Sequence, residues 1–320
     1  MKRRAAFRRH IIMIKNRFIR QTALPILAAL IWGTAFVAQS VCTPYVPPFA
    51  FNAIRSLIAA AVLLPIARAF DRAAVRRGEA PTPSNKRHLW LGGVLCGVFL
   101  AAAANLQQAA MADTTAGKAG FITALYMVLV PVLGVFLKKR TSLKTWISVA
   151  IAVAGLWLLC FRAGADLKLQ TADAYLLLCA LFFAGQIHCI DHFGADVDGI
   201  RLSCVQFLTT GVISAVLSAA FETFAWSGLL RCVWPILYCA LFSSCIAYTL
   251  QILALKDADD PTIPSLLFSL ESVFSVLAGA VILHDRLSGR EYLGCALMLA
   301  AVVLAQLPAF RRRKNKLQSP

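Results

Sequence analysis

Charge is what this chain has least of. Only 15% of its 320 residues are charged, against about a quarter in soluble domains, so it has too little ionic surface to be an ordinary soluble fold. Acids are scarcer still: 15 Asp and Glu stand against 32 Lys and Arg. A nucleic-acid reading of the +17 formal charge needs basic residues interleaved with aromatics on a wet face, and here they sit between apolar runs. No C-x-x-C pair occurs among the ten cysteines. Cys96, Cys160, Cys179, Cys189, Cys204, Cys239, Cys245 and Cys295 fall in or at the ends of apolar runs and are read as small buried residues. No P-loop or Gly-rich phosphate cradle exists, so nothing in the chain couples it to ATP. The basic leader (residues 1–21) meets an apolar run of about twenty residues with no A-x-A-like exit, which predicts an uncleaved first helix. Met13 opens a second basic leader, so either Met1 or Met13 is the start.

Apolar residues make up 59% of the chain and mean hydropathy is +0.72, the composition of an integral membrane protein. About twenty apolar residues are needed to cross the hydrocarbon core as a helix. Ten segments qualify: Thr22 to Val41, Phe49 to Ala67, Leu89 to Ala110, Ala119 to Leu137, Thr145 to Phe161, Ala174 to Ile190, Leu202 to Ala220, Cys232 to Ala254, Ile263 to Leu283 and Tyr292 to Leu307. Placing the N-terminus in the cytoplasm puts 25 of the 32 Lys and Arg on the inner side, six on the outer side and Arg55 inside a span. Positive loops stay cytoplasmic, so both termini are expected there, in a cell (inner) membrane. Asp191, Asp196 and Asp198, then Asp257, Asp259 and Asp260, sit in the weakly biased inner loops.

An internal repeat sets the architecture. Leu106-Gln107-Gln108-Ala109 matches Leu250-Gln251-Ile252-Leu253, Asp113 then falls on Asp257, Tyr126 on Glu271, Leu137 on Ile282 and Trp146 on Tyr292. The halves are therefore spans one to five and six to ten. Five is odd, so the second half enters the membrane inverted, as in secondary transporters whose solute site lies at the midplane between the halves.

The residues also carry a resemblance. Leu30-Ile31-Trp32-Gly33-Thr34-Ala35-Phe36, Arg55-Ser56-Leu57, Thr115-Ala116-Gly117-Lys118-Ala119-Gly120-Phe121, Ser269-Leu270-Glu271-Ser272-Val273, Ile282-Leu283-His284-Asp285-Arg286-Leu287-Ser288 and Leu293-Gly294 are similar to EamA domains of the drug/metabolite transporter superfamily. The resemblance implies an all-α membrane protein of ten spans in two inverted EamA repeats, residues 22–161 and 173–307, with basic tails at 1–21 and 308–320. It implies a central cavity and transport of small organic solutes, often export of amino acids, by a carrier and not an enzyme. Two departures stand out. Ser272 replaces the proline many relatives have after the glutamate, which predicts a straighter ninth helix, and His284-Asp285 replaces a glycine-glutamate pair.

Candidate residues follow from the cost of polarity in lipid. Glu271, at bilayer depth, costs roughly 2.5 to 3.5 kcal/mol on insertion scales and needs a partner or a cavity. It binds a solute amine or a coupling proton, or else it bonds serines or a backbone amide at a break in its helix. Arg55 snorkels outward or forks onto a solute anion. Lys118 is an interfacial anchor or a group at the solute's path. Asn105, Gln107 and Gln108 on span three and Tyr248 and Gln251 on span eight form matching polar clusters, either interhelical glue or solute contacts. Trp32, Tyr126 and Gln186 are further lining candidates. His188, Asp191 and His192 share a helix face but lack a fourth ligand, so no metal and no cofactor is expected. Pro65, Pro131, Pro235 and Pro264 predict kinks. The expected partners are a small solute and membrane lipid, without nucleic acid, for a monomer or weak homodimer. A polytopic enzyme on a lipid-linked substrate and a metal-ion carrier are the competing functions.

Overall fold

In hydrocarbon every backbone amide must find its partner within the chain, so apolar runs of this length fold as helices. The computed structural model describes residues 19–77, 85–114, 116–139, 141–160, 170–223, 226–256, 258–282 and 288–307, side chains of 19, 116–118 and 159–160 excepted. Every described element is helical. The long helices are α1 (Arg20–Cys42), α2 (Pro48–Arg76), α3 (Lys86–Ala110), α4 (Ala116–Ala124 and Tyr126–Phe136), α5 (Leu143–Cys160), α6 (Thr171–Phe193), α7 (Gly199–Phe221), α8 (Val233–Lys256), α9 (Thr262–Phe268 and Glu271–Ile282) and α10 (Gly289–Gln306). Nine of the described helices are long and apolar enough to cross a membrane, while the apolar part of α5 is the shorter Leu143–Leu158.

The packing has the symmetry an inverted repeat demands. If helix n matches helix n + 5, the pair α3–α6 must reappear as α8–α1, the pair α1–α9 as α6–α4, and the pair α3–α7 as α8–α2. All six contacts occur, and α2–α7 and α5–α10, which map onto themselves, pack along their lengths. The α2–α7 pair is tied at both ends. Glu222, following α7, accepts from the Phe49 and Ala50 amides of α2 at 2.8 Å each, which satisfies two open N–H groups at a helix start. At the other end Arg201 pairs with Asp71.

Two helices depart from regularity at the same place. α4 breaks at Leu125 and α9 at Ser269-Leu270, so Tyr126 and Glu271, the residues matched across the repeat, each begin a second half-helix. Ser272 follows directly on the interruption of α9. Serine does the work here: Ser265 Oγ donates to Pro261 O and Ser269 Oγ to Leu266 O, both at 2.7 Å, offering carbonyls a partner outside the helical ladder. Pro65 and Pro131 lie inside continuous helical segments. α8 carries a nine-residue π-helical stretch, Cys239–Ala247. The His284-Asp285 pair and Asp257 lie outside the described residues.

Candidate functional site

The break in α9 presents Glu271 at a helix start, where the positive end of the peptide dipoles favours a carboxylate. Its side chain is buried, 6% exposed, and opens into a central cavity. α4 delivers Tyr126 to the same cavity through the matching break. The Tyr126 hydroxyl neighbours the Glu271 carboxyl yet makes no hydrogen bond of ordinary length to any protein group.

Arg55 enters from α2. It is 5% exposed, lines the cavity, and lays its guanidinium carbon 5.5 Å from the Phe51 ring centroid, so the outward-snorkelling reading does not describe it. No ion pair joins Arg55 to a carboxylate of the described residues, and none joins Glu271 to a cation. A buried acid and a buried base thus face one space without pairing with each other, and for either in its charged form that is expensive unless something else supplies the counter-charge.

Between them stands an aromatic wall. Trp32 meets Tyr248 edge-on at 4.8 Å and Phe268 at 5.5 Å, while Tyr126 meets Phe183 at 6.2 Å. Trp32 Nε1, Gln39 Oε1 and Arg55 Nε are buried polar atoms without a protein partner, and all three residues line the cavity. The space open to water centres is about 40 Å³, enough for roughly three waters at 10–15 Å³ each.

The amides divide into two roles. Gln107 and Gln251, equivalent in the repeat, both line the cavity. Gln107 donates to Thr123 Oγ1 at 3.3 Å. Gln251 exchanges hydrogen bonds with Gln186 at 3.3 Å, and Gln186 also donates to Gln206 at 3.0 Å, so Gln186 supports Gln251 from behind. Asn105 lies off the cavity. It accepts from Asn52 at 2.9 Å and donates to Ser214 at 2.9 Å, joining α2, α3 and α7. Gln108 donates to Thr43, and the Lys118 side chain lies outside the described residues.

The sequence reading passed over Phe36, Gln39, Thr123, Phe183, Ile187 and Ser243, all of which line the cavity. Helical spacing holds the missing signal: Phe36 and Gln39 lie four and seven residues beyond Trp32, on its face of α1.

Toward the Phe136 end of α4 the cavity is closed by contacts between α4 and α6. His188 Nε2–H donates to Val130 O at 2.9 Å, and Lys139 pairs with Asp191. Lys138 takes the left-handed conformation, φ 58°, and the Lys139 amide donates to Gly134 O at 2.8 Å, a cap that turns the chain back toward α6. His188 and Asp191 are thus engaged in closing the bundle. Among the described residues no cluster of three metal-ligating side chains occurs.

A bundle of membrane-spanning helices in two repeats, packed around a cavity lined by Arg55 and Glu271, has the build of a membrane carrier. The comparisons agree: the chain matches the EamA-like transporter family over residues 22–161 and 170–307 and belongs to it. It is 28% identical over 282 residues to an uncharacterized transporter of Archaeoglobus fulgidus, covering 88% of this chain and 84% of that one. It is 26% identical over 303 residues to the uncharacterized transporter YwfM of Bacillus subtilis, covering 91% and 94%. A solved crystal structure superposes with a TM-score of 0.72 at 21% identity, covering 90% of this chain and 96% of that one; this likeness concerns the fold.

Proposed function

We propose that the protein exports a small zwitterionic solute, an amino acid or a close relative, across the cell membrane by alternating access between its two repeats, with both termini in the cytoplasm. One observation carries the reading: Arg55 and Glu271 line a single cavity, each without a counter-ion among the described residues. A carboxylate on the solute satisfies the Arg55 fork and its ammonium satisfies Glu271, so both desolvation costs are met by one ligand. Trp32, Phe36 and Phe183 offer an apolar surface for the remainder of the solute. The α4–α6 contacts that close one end of the cavity suit a carrier that opens one side at a time.

Counterflow of labelled amino acids in proteoliposomes tests the reading. Hydrogen bonds to charged groups contribute about 1.5–3 kcal/mol, so Glu271→Gln and Arg55→Gln are each expected to weaken apparent affinity about 10- to 100-fold. Wild-type counterflow in both variants, with folding verified by size-exclusion chromatography, would sink the proposal. Uptake assays in right-side-out and inverted vesicles read the direction.

A further inference from the structure

Three cysteines gather at the end of the bundle opposite the α4–α6 closure. Cys42 ends α1, Cys232 precedes α8, and Cys239 lies one further turn or two into α8; all three pack with Val46, Phe51 and Ile236 in one buried cluster. The two turns that bring them together touch backbone to backbone. A Cβ built on Gly228 would lie 2.4 Å from the Tyr45 carbonyl oxygen, so only glycine allows this approach. Cys42 and Cys232 each sit about one turn from that point. Cys42 O accepts from the Tyr45 and Val46 amides at 2.9 and 3.0 Å, and the Cys232 amide donates to Gly228 O at 3.2 Å. The thiols of Cys42 and Cys232 neighbour each other, and Arg231 holds the contact from outside with its guanidinium 5.6 Å from the Tyr45 ring.

A second pair occupies the symmetry-related helix pair at the other membrane face. Cys96 of α3 neighbours Cys189 of α6, just as α8 and α1 bring together Cys232 and Cys42. Under the orientation proposed above, Cys96 and Cys189 face the reducing cytoplasmic side. Cys42 and Cys232 face the compartment in which disulfides persist.

We propose that Cys42 and Cys232 form a disulfide that staples the extracytoplasmic end of α1, in the first repeat, to that of α8, in the second. The oxidant is a disulfide-bearing thiol oxidant of that compartment. One thiol, as its thiolate, attacks the oxidant's disulfide, forming a mixed disulfide and releasing one reduced sulfur. The second thiolate attacks the cysteine sulfur of the mixed disulfide, closing Cys42–Cys232 and releasing the other. Two electrons pass to the oxidant, whose two thiolates take up the two protons. Cys42 and Cys232 are 0% and 1% exposed, so exchange needs the two turns to part, during folding or on outward opening. Once formed, the link holds those turns together, and a transporter whose repeats must separate there stops turning over.

The inference rests on the proposed orientation, and the pairs distinguish the two failures. Membranes from cells are quenched with N-ethylmaleimide without reductant, and the protein is denatured, digested and mapped by mass spectrometry. The expected result is a Cys42–Cys232 linked peptide with Cys96 and Cys189 alkylated. A Cys96–Cys189 link with Cys42 and Cys232 alkylated overturns the orientation and the proposal with it. All four alkylated, or Cys232 joined to Cys239, overturns the pairing with the orientation untouched. In proteoliposomes of protein first reduced with dithiothreitol, copper-phenanthroline is expected to abolish counterflow, renewed dithiothreitol to restore it, and Cys42→Ser to be insensitive to both. A complete link with unchanged counterflow would show that the staple does not bridge moving parts and overturn its gating role.

Discussion

Gly33 has no room for a methyl group. A Cβ there would lie 2.6 Å from Phe274 Cβ, 2.7 Å from Glu271 O and 2.8 Å from Ser275 N, the contact that seats α1 against the second half of α9. Gly33→Ala must push the two helices apart at the level of Glu271, and overpacking of this kind costs about 1–3 kcal/mol. The purified variant should melt measurably below wild type, whereas Gly289→Ala, with nothing within 4 Å of the added carbon, should melt with it. Equal melting of all three proteins would refute the close approach. The sequence placed Gly33 inside a recognisable motif but could not say why glycine is needed, because the reason lies about 240 residues away on another helix. Glu271 and Arg55 were legible for the opposite reason: charge in an apolar run stands out without any knowledge of its neighbours. Phe36, Phe183 and Ile187 were not, since apolar residues in a lipid-facing span and in a cavity wall look alike.

The breaks in α4 and α9 were half legible. The repeat offset aligned Tyr126 with Glu271, but neither break is marked by proline or glycine at the break itself, and the one proline expected by resemblance is Ser272. The serine-to-carbonyl bonds in α9 depend on rotamers that spacing does not reveal. At the same scale, the α4–α6 closure yields a test. Lys139 and Asp191 pair at the helix ends, with side chains 38% and 9% exposed, so their separation is worth about 1 kcal/mol in a partly exposed setting, or a factor of about five in the open population. Lys139→Ala should speed maleimide labelling of Ile187→Cys, a cavity position, from the α4–α6 side about fivefold in a background free of other cysteines. The double exchange Lys139→Asp with Asp191→Lys should return the rate toward that of the parent. Failure of the exchange to slow labelling would assign the effect to something other than the pair.

Across the whole molecule, the open question is whether α5, with the shortest apolar run, crosses the bilayer, because it decides whether the termini share a face. Its packing answers in favour of crossing. Lys144 Nζ, at the start of α5, donates to Ala305 O at the end of α10 at 2.8 Å and also reaches Leu307 O. Eleven residues further on, Gly155 of α5 abuts Gly294 O of α10, a built Cβ lying 2.9 Å away. The two 18-residue helices therefore run antiparallel in register over at least those eleven residues, about 16 Å at 1.5 Å rise per residue. α10 has the length and composition of a span, and a helix aligned with it in this way traverses the same depth. With α5 crossing, ten crossings put the N- and C-termini on one face together with 25 of the 32 basic residues, and positive loops stay cytoplasmic, so the proposed orientation puts both termini in the cytoplasm. Reporters active only outside the cytoplasm, fused before Met13 and after Lys316, should both be silent, while one inserted at Thr223 should be active. A single active terminus would mean nine crossings and leave α5 lying in the interface; two active termini would invert the protein.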